Sequence, residues 1–258
     1  MSLQLAGTET GEGEPLLIVH GLFGSKRNWS AISKALGRTY RVITLDLRNH
    51  GESPHAPEMS YEAMADDIAT FIDAKNLAPV SLLGHSMGGK ASMVLALTRP
   101  ELLKRLLVLD IAPIPYNRDY DDYIDVLKGI DFNTIRSRSD VDATLEATFN
   151  DAAIRAFLLQ NLTTDDAGRY SWRVNLDAIA DHMDDIMGFP DFDTDQAYEG
   201  DTLFLGGQNS DYIAFAHQAE IERLFPNSDL DFIENAGHWV HADQPHALIK
   251  QLKTFMQS

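Results

Sequence analysis

The chain contains no cysteine, which excludes disulfide cross-links, thiolate nucleophiles and cysteine-ligated zinc together. It also lacks any apolar run near the ~20 residues that a membrane-spanning helix needs. The opening stretch, MSLQLAGTETGEGEP, has no basic segment followed by an apolar one, so no secretory leader is expected and the expected location is cytoplasmic. Positive charge is scarce. Against 39 Asp and Glu stand 21 Lys and Arg, a formal net charge of −18. A field of that sign repels nucleic acid and anionic membrane, so neither is an expected partner. What remains is ordinary globular composition, 44% hydrophobic and 23% charged over 258 residues, enough for one sizeable core carrying an insertion. Nothing in the pattern speaks to oligomeric state.

The informative stretch is residues 79–90, PVSLLGHSMGGK. An apolar, β-branched run at 80–83 ends in Gly84-His85-Ser86-Met87-Gly88, and apolar residues at helical spacing follow from Ala91. This reads as a buried strand turning sharply into a helix with Ser86 at the corner. Such a nucleophile elbow survives only where the residues two before and two after the serine lack bulk, a demand that Gly84 and Gly88 meet.

Around this corner the chain alternates. Apolar runs at residues 3–5, 16–19, 41–45, 105–109, 202–205 and 230–233 read as strands, and residues 28–36, 61–74, 214–224 and 247–256 as helices. That rhythm calls for a parallel sheet with right-handed crossovers. Between 113 and 198 it stops. Four helical stretches, at 120–128, 141–149, 152–161 and 176–187, are expected there with no strand, folding onto the crest of the sheet as a lid.

A serine hydroxyl at neutral pH needs an imidazole to take its proton and an acid to orient that imidazole. His238, in the Gly237-His238-Trp239 turn after a late strand, is the expected base. Two acids qualify. Asp110 ends the strand RLLVL, while Asp211 follows TLFL but stands one residue late, since a G-x-x-D loop counted from Gly207 puts Ser210 in the acid position. The backbone amides of Met87 and Leu22 are the expected oxyanion donors, with Phe23 as the lesser choice for the second. Phe23, Tyr116, Trp172 and Trp239 are candidate substrate-lining residues. His238 and His241 make no metal site, because no third ligand accompanies them. His20 is expected to hydrogen-bond its own loop, and Asp46 to be structural.

The segments VHGLFGS (19–25), DLRNHGESP (46–54), LLGHSMGGKASM (82–93), LDIAPIPY (109–116), WRVNLDAI (172–179), GGQNSDYI (206–213) and AGHWVHADQP (236–245) resemble the α/β-hydrolase superfamily, and within it the YbfF-type bacterial esterases. The resemblance implies an α/β-hydrolase fold: a mostly parallel twisted sheet with helices on both faces, its core in residues 1–112 and 199–258, and a helical lid at 113–198 inserted after the sixth strand. It implies hydrolysis of small-molecule carboxylic esters, with thioesters such as acyl-CoA as alternative substrates and no cofactor. It favours Asp110 as the acid, while an extra Gln208 in the GGNS-type loop leaves a role for Asp211 open. A different scissile bond on the same triad, or a binding protein that has lost catalysis, are the rival readings.

Overall fold

Runs of Leu, Ile and Val with no polar alternation build strands that must be covered on both faces, and the computed structural model, which describes residues 2–117 and 120–257, assembles them that way. In chain order the strands are β1 (Gly7–Thr10), β2 (Pro15–Val19), β3 (Arg41–Leu45), β4 (Val80–His85), β5 (Leu103–Leu109), β6 (Leu162–Thr164), β7 (Tyr170–Trp172), β8 (Thr202–Gly207) and β9 (Ser228–Ile233). Seven form one sheet in the order β1-β3-β2-β4-β5-β8-β9. Only β1 is antiparallel; every other pairing is parallel.

The α-helices are α1 (Ser30–Leu36), α2 (Tyr61–Ala74), α3 (Met87–Thr98), α4 (Asp121–Lys128), α5 (Arg138–Glu146), α6 (Ala152–Leu158), α7 (Leu176–Asp181), α8 (Met183–Met187), α9 (Gln218–Leu224), α10 (Val240–Asp243) and α11 (Pro245–Gln257). One face of the sheet packs against α1 and α11 through Trp29, Ile32, Leu36, Leu248 and Leu252. The other carries α2 and α3. Helix α3 is buried from Met87 to Leu97, as a helix apolar on all sides must be. Among the described residues no helix is long and apolar enough to cross a membrane.

Between β5 and β8 lie α4 to α8 and the β6–β7 hairpin. Their apolar residues, among them Leu127, Val141, Leu145, Leu158 and Ile179, join the core that also contains α2 and α3. Hydrogen bonds tie this insertion down: Asn161 Nδ2 donates to the Phe23 carbonyl (2.7 Å), the Asn175 amide to the Asn49 carbonyl (2.9 Å) and Tyr61 Oη to the Ile186 carbonyl (2.6 Å).

Four expectations are corrected. Residues 3–5 do not join the sheet, because neighbouring amides are committed to side chains: Leu3 N–H donates to Asp67 Oδ1 and Ala6 N–H to Ser53 Oγ. The edge strand is β1, and five strands rather than six precede the insertion. The insertion also contains strands. Its hairpin pairs Leu162 with Trp172 and Thr164 with Tyr170, in strands too short for an alternating pattern to stand out. Finally, the helix expected over 176–187 is two helices, since His182 leaves helical backbone at φ −119°, ψ 21°.

Candidate active site

The turn between β4 and α3 holds Ser86 at φ +51°, ψ −121°, a conformation costly for any residue with a Cβ. Its neighbours explain how the corner closes. A Cβ on Gly84 would stand 2.4 Å from the Gly88 carbonyl oxygen, and one on Gly88 would stand 2.4 Å from the His20 carbonyl oxygen. Both glycines are therefore demanded by contact distance. The loop after β2 passes so close that a Cβ on Gly21 would lie 3.0 Å from that of Ser86.

Two loops at the same carboxyl edge of the sheet meet this corner. Asp110 directly follows β5, and His238 lies in the turn after β9. His238 Nε2 is 3.0 Å from Ser86 Oγ, and His238 Nδ1 is 2.7 Å from Asp110 Oδ2. The Asp110 carboxylate is wholly buried and is satisfied by two further donors, Gly207 N–H to Oδ1 at 2.9 Å and Ser210 Oγ to Oδ2 at 2.5 Å. The loop that offered Asp211 thus delivers Ser210 to Asp110 instead, while Asp211 is exposed. Geometry brings Ser86, His238 and Asp110 into one hydrogen-bonded line, the arrangement that makes a serine hydroxyl nucleophilic.

Sequence reasoning missed several groups that hold His238. Tyr212 stacks on its ring with centroids 3.8 Å apart at 18°. His85 Nε2 lies 2.9 Å from the His238 carbonyl oxygen. No local pattern marks either residue, because each meets His238 only through the fold.

Of the residues whose amides are expected to face an oxyanion, Met87 directly follows the serine and Leu22 borders the same two spaces as Ser86. Met87 opens α3, where backbone N–H groups have no partner within the helix. The Phe23 amide, at φ +58°, is already engaged, donating its N–H to His50 Nε2 at 3.1 Å.

Other histidines are structural ties. His20 bridges the Gly21 carbonyl and the Leu47 amide, and His50 bridges the Arg48 carbonyl and the Phe23 amide. Asp46 accepts from the Lys26 and Glu52 amides and from Lys26 Nζ at 2.7 Å. Burial lowers the pKa of His20 and His85, pushes His241 down to about 4 and His50 down to about 3, the last with a smaller contribution from His20. These bases resist protonation in the folded state and accept it when unfolded. Stability is therefore complete above the unfolded histidine pKa and is lost as pH falls below ~6.5, at about 1.4 kcal/mol per pH unit for His50 alone. Urea unfolding at pH 7 and pH 5 checks this; equal free energies would refute it.

Ser86 sits between two spaces. A cleft of about 630 Å³, open to solvent, is lined by Phe23, Tyr123, Phe157, His238 and Trp239 among others. A smaller space of about 310 Å³ is lined by Tyr61, Lys90, Tyr116 and Met187 among others. Of the four candidate lining residues, Phe23 and Trp239 border the larger space and Tyr116 the smaller, while Trp172 borders neither. Its indole N–H donates to the Leu127 carbonyl at 2.7 Å and its ring meets Phe132 edge-on; packing inside the insertion uses it up.

A family model described as the alpha/beta hydrolase fold matches residues 14–245. An sn-1-specific diacylglycerol lipase, ABHD11, of Danio rerio is 43% identical over 96% of this chain and 80% of its own length. Esterase YbfF of Escherichia coli is 31% identical over 94% of this chain and 92% of its own. Among solved structures, a marine microorganism esterase is 39% identical, covers 98% of this chain and all of its own, and superposes with a TM-score of 0.95. Family match, fold and the names of these relatives agree: the chain belongs to the α/β-hydrolase fold family and is a hydrolase enzyme of its esterase and lipase kind.

Proposed function

We propose that the chain is a serine carboxylesterase that hydrolyses small to medium acyl esters through an acyl-enzyme intermediate. The observation that carries this reading is the line Ser86 Oγ, His238 Nε2, His238 Nδ1, Asp110 Oδ2, with its two contacts of 3.0 and 2.7 Å. Ser86 attacks the ester carbonyl carbon as His238 Nε2 takes its proton. Asp110 holds Nδ1–H toward itself, which keeps the lone pair of Nε2 facing the serine. The carbonyl oxygen becomes an oxyanion, held by the amides of Met87 and Leu22; one such donor contributes about 3 kcal/mol of transition-state stabilisation. The tetrahedral intermediate collapses, the alcohol leaves with the proton from His238, and water repeats the sequence to release the acid.

The bond class is supported by relatives named as esterases and as diacylglycerol lipases. Residues 113–198 serve as the lid: side chains of this segment, Tyr123, Ile154 and Phe157, form an apolar wall of the larger cleft. A fluorophosphonate probe is expected to label the protein once, on the peptide containing Ser86, and to leave Ser86→Ala unlabelled. Labelling that survives in that variant would refute the assignment.

A further inference from the structure

Behind the serine lies a cation for which ester hydrolysis as such has no use. Lys90 falls one helical turn (~5.4 Å) after Ser86 in α3 and is 1% exposed. Its ammonium donates to the carbonyl oxygens of Met187, at 3.0 Å, and Gly188. The rings of Tyr116 and Tyr61 face it, with centroids 4.8 and 5.5 Å away. An ammonium has three donors, and these two carbonyls take two.

The groups around Lys90 come from several elements. Tyr61 belongs to α2, Tyr116 follows β5, Tyr120 precedes α4, Tyr212 follows β8 and Met187 ends α8. Four are phenols, and among the described residues no carboxylate lines the small space they share with Ser86. Buried lysines are ordinarily paired with an acid. This one has only dipoles and ring faces, and burial alone pushes its pKa down to about 7.

Which part of an ester enters this space follows from the proton transfers. His238 lines the larger cleft and not the smaller one, and it must reach the leaving oxygen. The alcohol therefore departs on the side of the larger cleft, and the acyl chain occupies the side of Lys90. We propose that Lys90 is the specificity residue of the acyl pocket and selects acyl chains ending in a carboxylate, so that half-esters of short dicarboxylic acids are preferred substrates. The proposal rests on Ser86 as the nucleophile. The substrate's carboxylate supplies the counter-ion that Lys90 lacks, and the space is the smaller of the two beside Ser86, which favours a short chain.

Ethyl hydrogen glutarate and ethyl pentanoate share leaving group and acyl length and differ in the terminal carboxylate. The ratio of their kcat/KM values cancels every pH effect that is common to both esters. In the wild type this ratio is expected to exceed about ten near pH 6 and to fall up to tenfold per pH unit above about pH 7, as the ammonium loses its proton while the substrate stays ionised. Lys90→Arg keeps its charge and is expected to hold the ratio flat with pH; Lys90→Met is expected to lower it at least tenfold near pH 6. A purely structural lysine would move both esters together. A wild-type ratio of one or less near pH 6, or a ratio indifferent to both pH and Lys90→Met, overturns the proposal. If the variants fail to fold, the wild-type pH profile decides alone. Fluorophosphonate labelling of the same preparation separates the two ways of failing. An unlabelled Ser86 sinks the serine-esterase reading and the proposal with it, whereas a labelled Ser86 with a ratio of one or less sinks the carboxylate preference only.

Discussion

Ser86→Ala is expected to lower kcat on p-nitrophenyl butyrate by about a millionfold, the scale on which a serine nucleophile of a triad acts. The substitution deletes one oxygen from a corner whose backbone is fixed by Gly84, Gly88 and the hydrogen bond from the Ser86 amide to the Leu109 carbonyl at 3.0 Å. Fold and binding clefts should thus persist, and circular dichroism and the urea midpoint are the controls. A residual rate on the order of a thousandfold over water is expected from the oxyanion donors and substrate binding. Retention of more than about a hundredth of wild-type kcat would mean that another group attacks the ester, because no positioning role is worth so much.

Asp110→Asn is the second large effect, about ten-thousandfold in kcat. Asparagine is close in size to aspartate, so volume is not the issue. Its amide would present N–H to His238 Nδ1 and favour the tautomer that carries its single N–H proton on Nε2, facing Ser86 with a donor where an acceptor is needed. The site is unforgiving because Asp110 is wholly buried and its two oxygens already serve Gly207 N–H and Ser210 Oγ. Asp211→Asn, on an exposed side chain of the neighbouring loop, is expected to keep kcat within about an order of magnitude. Steady-state kinetics on both variants decides between the two acids. A crippled Asp211→Asn beside an active Asp110→Asn would reverse the assignment.

Much of the candidate site is legible in the chain, and the reason is local sterics. Ser86 announces itself because a serine at φ +51° beside Gly84 and Gly88 can satisfy only a narrow set of contacts, so the glycines are written into the sequence. The parallel strands are legible because two covered faces require unbroken apolar runs. His238 could be named from its turn once an elbow was in hand. Asp110 and Asp211 could not be separated on residues alone. Each follows a strand next to the other, β5 beside β8, and the difference lies in which carboxylate points at the ring.

The insertion was legible in its helices and obscure in its details. Pairing of β6 with β7 spans only three residues on each side, too few for a period of two. Trp172 looked like a pocket residue by type alone, yet its partners Leu127 and Phe132 lie about forty residues away in sequence, and nothing near it could reveal them.

Local pattern alone determined the strand-turn-helix corner and the alternating α/β order, because each depends on neighbours a few residues apart. Tertiary structure alone decided which acid meets the imidazole, what holds His238 in place, and that Lys90, behind the serine, is paired with no carboxylate among the described residues. Those outcomes depend on chain segments separated by scores of residues, and their distances are set by packing of the whole core rather than by any stretch of sequence.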